Sequence, residues 1–284
     1  MTHLSIILPA KNEAAALTGL LPLLRAVQPE AEIIVVDDGS TDGTRAICAE
    51  NGVGCLSSPY SMGNGAAIKR GARAARGEWL VFMDGDGQHD PADVARLLAK
   101  LEEGYDMVVG ARDWSSQAGV GRGVANTFYN WLATRMTGHP VLDLTSGFRA
   151  VRAEKFREFL HLLPNGFSYP TTSTMAFFRS AYPVAYVPIK AAQRVGKSHI
   201  RPLRDGLRFL LIIFKIATLY SPLKLFAPAS GLFFLLGCAN YAWTFVHEGR
   251  LTNGSTLLWS AAVIVFLIGL VSEQITALTY RRDA

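Results

Sequence analysis

Trp79–Pro91 reads WLVFMDGDGQHDP, five mostly apolar residues running straight into Asp84, Asp86 and Asp90, with Gly85, Gly87, Gln88 and His89 between and beside them. An apolar, aromatic run of that length, closed by aspartate and glycine, reads as a buried strand that delivers a polar loop. Asp84 and Asp86 stand two residues apart, and carboxylates so placed repel each other unless something positive lies between them. Asp90 followed by Pro91 suits an N-cap and first helical position, opening a helix through Leu97, Leu98 and Leu101.

Working outward, three further runs have the same character: LSIIL (4–8), EIIVV (32–36) and MVV (107–109). They alternate with helix-like segments, which predicts an α/β sheet with helices on its faces. Leu17, Leu20, Leu21 and Leu24 give the first helix its buried stripe, and GNGAAIKRGARAARG (63–77) reads as a small-residue helix that packs closely. Ligands of such sheets gather beyond the carboxyl ends of the strands. PAKNE (9–13), DDGSTDGT (37–44), DGDGQHD (84–90) and GAR (110–112) all fall there, so four strand ends point chemistry towards one rim.

Each motif has a plain reading beside its chemical one. DDGSTDGT is either a capped strand-to-helix turn or a nucleobase reader in which one carboxylate accepts an imino N–H. Asn12 and Glu13 suit ribose hydroxyls or an ordinary helix start. In DGDGQH, Asp84, Asp86 and Gln88 offer the oxygen ligands that Mg2+ and Mn2+ prefer, while Gly85 and Gly87 let backbone approach a diphosphate. The alternative is a helix-capping loop, and His89 is either a ligand, a donor behind the ligands, or a cap.

The 284 residues are 50% apolar and 18% charged, a balance that leans towards a membrane-associated protein. No acid, lysine or arginine lies between Lys224 and Glu248, and only Glu273 lies between Arg250 and Arg281. Each stretch reaches the roughly 20 residues of a bilayer-spanning helix, so spans are expected at 225–246 and 256–279. Arg201, Arg204, Arg208 and Lys215 share one face of a segment whose other positions include Leu207, Leu210, Leu211 and Phe214, the pattern of a helix lying at a membrane surface. Lys215 and Lys224 before the first span, with Arg281 and Arg282 after the second, put both chain ends in the cytoplasm, and HEGRLTNGS (247–255) on the other side. MTHLSIILPA shows no cleaved signal peptide, so the N-terminal part is expected in the cytosol. Cys48, Cys55 and Cys238 are too few and scattered for a disulfide framework or metal set. The net charge of +5 is modest, and nucleic acid is not expected as a partner.

The ordered set PAKNE, VVDDGSTDGT and DGDGQH resembles the inverting glycosyltransferases of family 2, with a GT-A fold and a DxD metal motif. GAR, DLTSGFRA (143–150) and QRVGKSH (193–199) are similar to the polyprenyl-phosphate members related to dolichol-phosphate mannose synthase, over about residues 3–220. The resemblance implies a GT-A, Rossmann-like domain at 1–200, expected in the cytosol; composition and charge add an amphipathic juxtamembrane helix at 201–221 and a two-helix transmembrane region at 222–284 of the inner, cytoplasmic membrane. It implies nucleoside and donor contacts from Pro9, Lys11, Glu13, Val35, Asp37, Asp84, Gly85, Asp86 and Gln88, with Mg2+ or Mn2+ on Asp84, Asp86 and Gln88. At Lys11 relatives often carry an aromatic residue, and at Gly85 and Gly87 alanine and leucine. Arg112, Ser146, Arg149, Arg194, Lys197 and Ser198 would face the acceptor phosphate or donor sugar, the last three on a closing loop.

The implied reaction is inverting transfer of a sugar from a nucleotide sugar, UDP-linked or GDP-mannose, to polyprenyl phosphate. A metal on Asp84 and Asp86 would stabilise the leaving diphosphate. A lipid phosphate is already anionic at pH 7, so it needs cations to position it and no strong base; Asp86, Arg112, Arg149 and Arg194 would carry the chemistry. Another lipid or polysaccharide acceptor, or a silent membrane scaffold, are the competing expectations. Self-association through the spans is a further one.

Overall fold

The computed structural model describes residues 3–112, 120–166, 168–190, 214, 218 and 220–279. Arg194, Lys197 and Ser198, the cations expected on an interfacial helix at 201–221, and Arg281 and Arg282 lie outside the described residues. The chain divides into two compact units, Met1–Pro202 and Leu203–Ala284.

The first unit is built on a seven-stranded sheet. Its strands are β1 (Leu4–Ala10), β2 (Glu32–Asp37), β3 (Gly54–Ser57), β4 (Trp79–Phe82), β5 (Met107–Arg112), β6 (Arg149–Arg152) and β7 (Val184–Ile189), in the spatial order β3-β2-β1-β4-β6-β5-β7. Neighbours run parallel except at β6, which is antiparallel to both β4 and β5. The four expected apolar runs are β1, β2, β4 and β5, and their near-continuous burial is what a sheet covered on both faces requires.

Side-chain alternation assigns the helices to faces. Ile6, Leu8, Val35 and Val81 share one core with Leu17, Leu20, Leu21 and Leu24 of α1 (Ala14–Val27) and with Val94, Leu97 and Leu101 of α4 (Asp93–Glu102). On the other face, α3 (Asn64–Ala74) lays Gly71 against Ile7 and Val36. Phe82 there meets Phe156 of α6 (Ala153–Glu158) and Tyr169 of α7 (Tyr169–Arg179) at ring distances of 4.7 and 6.3 Å. Two more helices of this unit are α2 (Thr44–Glu50) and α5 (Val120–Thr137).

Three strands escape the hydropathy pattern for physical reasons. β3 is a half-exposed edge, β6 is bounded by two arginines, and β7 carries Pro188, which the outer edge of a sheet tolerates. The start of α4 also differs from expectation. Asp90 accepts the Ala92 N–H at 2.9 Å and shapes a turn, and the helix proper begins at Asp93. The ring of Pro91 therefore sits in the approach to the helix.

In the second unit, helices Leu223–Glu248 and Asn253–Thr279 are long and apolar enough to cross a membrane, and most of their large apolar side chains are exposed. They pair through contacts such as Ser230 Oγ donating to the Ala262 carbonyl at 2.8 Å. Glu273 finds its role here. Its Oε2 accepts Ser221 Oγ–H and the Leu223 N–H, both at 3.1 Å, supplying an acceptor to the first turn of the preceding helix, whose N–H groups have none within the helix.

Gly71→Ala tests the packing of α3. An added Cβ would collide with Ile7 Cγ2 and lie 3.1 Å from Val36 Cγ2. Overpacking of this kind costs roughly 1–3 kcal/mol, so a lowered melting temperature is expected in thermal unfolding.

Candidate active site at the carboxyl rim

Chain order jumps at the centre of the sheet, where β1 has β2 on one side and β4 on the other. Such a switch point opens a crevice beyond the strand ends. PAKNE leaves β1 on one side and DGDGQH leaves β4 on the other. Their backbones touch: Gly85 N–H donates to Pro9 O at 3.2 Å. A Cβ on Gly85 would lie 3.1 Å from that oxygen and 3.3 Å from Ala10 Cβ, so glycine permits the approach.

The β1 and β2 loops are laced together. Asn12 adopts a left-handed φ of 57°, which asparagine tolerates better than most residues. Its N–H donates to Ser40 Oγ at 2.9 Å, and its Oδ1 accepts the Thr41 N–H at 2.8 Å. Asp42 accepts the Ala14 N–H at 3.1 Å and the Thr44 N–H at 3.0 Å, serving the first turns of α1 and α2 with one carboxylate. Asn12 is thus committed to shaping the rim, and the Glu13 N–H bonds Thr44 Oγ1 at 3.2 Å. Lys11 stands exposed beside them, acting electrostatically on Asp38.

The adjacent aspartates have separate roles. Asp37 Oδ1 accepts the Ser40 N–H at 2.8 Å and Oδ2 accepts Arg45 Nε–H at 2.6 Å. Its carboxylate is fully enclosed beneath the half-exposed Arg45, so any base that reads it meets Arg45 first. Asp38 instead accepts Ser61 Oγ–H at 2.6 Å, the Met62 N–H at 2.6 Å and the Gly63 N–H at 2.9 Å, pinning the segment that leads into α3. Burial pushes the Asp38 carboxyl up, but these three donors more than offset it and hold it below the ordinary value. Val35, expected at the nucleoside, has its side chain in the core, because it sits within β2 rather than at its end.

Asp84 and Asp86 are both partly exposed in the crevice, with the Gln88 N–H on Asp86 Oδ1 at 3.2 Å. Behind Asp84, His89 Nε2 lies 4.0 Å from Oδ2, and its ring stacks on Phe148 at 4.9 Å. Burial pulls the His89 pKa down to about 4, so the imidazole is neutral near pH 7. Gly147 abuts Asp84 from the other side: a Cβ there would lie 3.0 Å from Asp84 Oδ2. Because β6 runs antiparallel, the 143–149 segment that precedes it arrives at the same rim as the ends of β4 and β5.

Arg112, at the end of β5, forms a two-pronged ion pair with Asp143, Nε to Oδ2 at 2.8 Å and Nη2 to Oδ1 at 3.0 Å. Ser146 is buried, its Oγ without a hydrogen-bond partner among the described residues. Arg149 occupies a different place from the one its resemblance implies. Its guanidinium is fully buried, donating from Nη1 to Pro170 O at 2.9 Å, Ser173 Oγ at 2.8 Å and Thr174 Oγ1 at 3.2 Å, and from Nη2 to Ser146 O. It stands beneath the site and braces the 146–147 turn against Asp84. Sequence reasoning left Arg45 and Asp143 without roles and did not separate Asp38 from Asp37; the capped-turn reading of DDGSTDGT agrees with Asp42 at the start of α2, but only contacts between distant segments reveal the rest.

A doubly wound sheet with paired carboxylates at its switch point and an arginine facing them defines an enzyme of the GT-A-like α/β class. Residues 5–160, more than half of the chain, match the model for glycosyl transferase family 2, and residues 221–278 match that for the GtrB C-terminal hairpin. The chain belongs to glycosyl transferase family 2 and is a glycosyltransferase. It is 27% identical to the glycosyltransferase AglJ of Haloferax volcanii, over 96% of this chain and 93% of that one. Identity to the undecaprenyl-phosphate mannosyltransferase of Micrococcus luteus is 30%, covering 68% and 85%. Among solved structures, glucosyl-3-phosphoglycerate synthase from Mycobacterium tuberculosis, in complex with Mn2+, UDP and phosphoglyceric acid, superposes with a TM-score of 0.61 at 25% identity, covering 76% of this chain and 78% of that one.

Two outcomes are expected. Gly147→Ala crowds Asp84 and makes its carboxylate give by a fraction of an ångström; since a misplacement near 1 Å can cost roughly a hundredfold in rate, turnover should fall by less than that while the melting temperature barely moves. Asp38→Asn removes an acceptor from a three-donor site and should cost about 2 kcal/mol at neutral pH. The wild-type carboxyl titrates lower when folded than when unfolded, so its contribution is complete above about pH 4 and is lost as pH falls through the folded value. The melting temperatures of wild type and Asp38→Asn should therefore converge only in that acid range.

Proposed function

We propose that the enzyme transfers a sugar from a UDP-sugar to polyprenyl phosphate at a membrane surface, with Mg2+ or Mn2+ at Asp84 and Asp86. The observation that carries the reading is the pairing, in one crevice, of two partly exposed carboxylates with Arg112. Among the described residues no group of three or more His, Cys, Asp or Glu side chains converges. Two carboxylates and the Gln88 amide are the donor set of a hard divalent cation that completes its coordination with water and substrate phosphate oxygens. The cradle fits such a group: Gly147 stands where a Cβ would crowd both Asp84 oxygens, at 3.0 and 3.4 Å. When bound, the cation supplies charge stabilisation to the departing diphosphate.

The chain's own residues do the rest. Pro9, Lys11 and Glu13 border the nucleoside, with Asp37 read through or past Arg45, while Gly85 and Gln88 line the diphosphate. Arg112 receives the acceptor phosphate beside the turn that carries the buried Ser146, with Arg194, Lys197 and Ser198 as further candidates. Arg149 positions the Ser146–Gly147 turn from below. A phosphate monoester is anionic near pH 7, so attack needs directed cations rather than a base, and the anomeric centre inverts.

Support for a lipid acceptor comes from the apolar hairpin, its match to the GtrB C-terminal hairpin and the name of the Micrococcus relative. A polyprenyl chain leaves the bilayer only at about 0.8 kcal/mol per methylene, so an enzyme acting on it gains from being held there. Support for UDP and Mn2+ comes from the complex of the mycobacterial synthase. In this reading the catalytic unit faces the cytoplasm and the hairpin anchors it.

The test is a panel of radiolabelled nucleotide sugars given to the purified full chain with undecaprenyl phosphate. Label should pass into the organic phase from a UDP-sugar and stop on addition of EDTA. Asp86→Ala should insert normally yet lose on the order of a thousandfold in turnover, matching several kcal/mol of transition-state stabilisation. Transfer that survives EDTA or the substitution would sink the metal assignment.

A further inference from the structure

No step described above uses Asp143, although it is almost fully buried. Its Oδ2 accepts Arg112 Nε–H at 2.8 Å and the Arg112 backbone N–H at 3.3 Å. Its Oδ1 accepts Arg112 Nη2–H at 3.0 Å, the Thr145 N–H at 3.1 Å and the Ser146 N–H at 3.0 Å. Thr145 Oγ1 accepts from Arg112 Nη2 at 2.7 Å. One carboxylate therefore folds the turn carrying Ser146 and grips the side chain at the end of β5.

The stoichiometry of the guanidinium gives the consequence. Of its five N–H groups, the one on Nε and one on Nη2 are held by Asp143 along one edge, and Nη2 also donates to Thr145 Oγ1. The two on Nη1 have no hydrogen-bond partner among the described residues. Because the group is planar, locking the Nε–Nη2 edge fixes the direction of the Nη1 edge. About a quarter of the Arg112 side chain is exposed, against almost none of Asp143. An unrestrained arginine loses rotamer freedom when it binds an anion; here that freedom is already gone in the folded protein.

We propose that Asp143 is a positioning residue that, with Thr145, locks Arg112 so that its Nη1 edge forms a preorganised receptor for the phosphate monoester of the acceptor. This rests on the acceptor reading above. A general-base role fits Asp143 poorly: it is enclosed, both oxygens are occupied, and an anionic acceptor has no proton to give up.

Charge and orientation predict opposite signs for Asp143→Asn, which makes the variant decisive. The substitution leaves Arg112 with an uncompensated positive charge, so a site governed by charge alone would hold phosphate more tightly. A site governed by orientation holds it less well. We expect the KM for a short-chain prenyl phosphate to rise about tenfold, with the KM for nucleotide sugar within twofold of wild type. Thr145→Val, which removes one grip without changing charge, should raise it about threefold. In an Arg112→Ala background Asp143→Asn should add less than twofold, since it acts through that arginine. An unchanged or lowered acceptor KM in Asp143→Asn overturns the proposal, as does full additivity with Arg112→Ala. If Asp143→Asn does not fold, an unchanged acceptor KM in Thr145→Val overturns it. Should wild type transfer sugar to no prenyl phosphate, the acceptor reading falls. Calorimetric titration of inorganic phosphate into the detergent-solubilised full chain then decides Asp143 separately: weaker binding by the variants upholds its role, and no binding by wild type ends it.

Discussion

The approach of two backbones at the switch point is the constraint on which the rest of the site depends. Gly85 N–H meets Pro9 O at 3.2 Å, and a Cβ at residue 85 would lie only 3.1 Å from that oxygen. That single contact sets the carboxylates leaving β4 directly beside the end of β1. It also orients the loop so that Asp84 and Asp86 stay partly exposed while Met83, one residue earlier, is in the core. A bulky residue there would press the acidic loop away from the PAKNE turn.

Around that contact the rim is stiffened by carboxylates bound to backbone N–H groups. Asp42 serves two helix starts and Asp38 pins the entry to α3. Loops that carry function are usually the mobile part of a fold. Here their N–H groups are taken up by acidic side chains from neighbouring loops, which converts several connections into one braced surface. The neutral His89 stacked on Phe148 adds an apolar backing to Asp84 without adding a competing charge.

Arg149 shows the cost and use of a buried cation. Burial pulls its pKa down, and carbonyl and hydroxyl oxygens rather than a carboxylate surround it. Removing partners from a buried charge is strongly destabilising, so this arrangement over-determines the position of the turn it holds. Glu273 does comparable work in the hairpin, where the acid of the second helix completes the start of the first.

Sequence alone determined the parallel core, since apolar runs buried on both faces leave an unmistakable pattern, and it determined which strand ends are rich in acids, glycines and arginines. It also marked two stretches as long and apolar enough to span a bilayer. It did not reveal β3, β6 or β7, whose pairing comes from neighbours rather than from hydrophobicity, nor the late start of α4. The division of labour among like residues was decided only by tertiary structure. Asp37 lies under Arg45 while Asp38 ties a loop; Arg112 reaches the crevice while Arg149 lies beneath it; Val35 packs inward. The members of each pair share residue type, and they differ in which distant segment the fold brings against them.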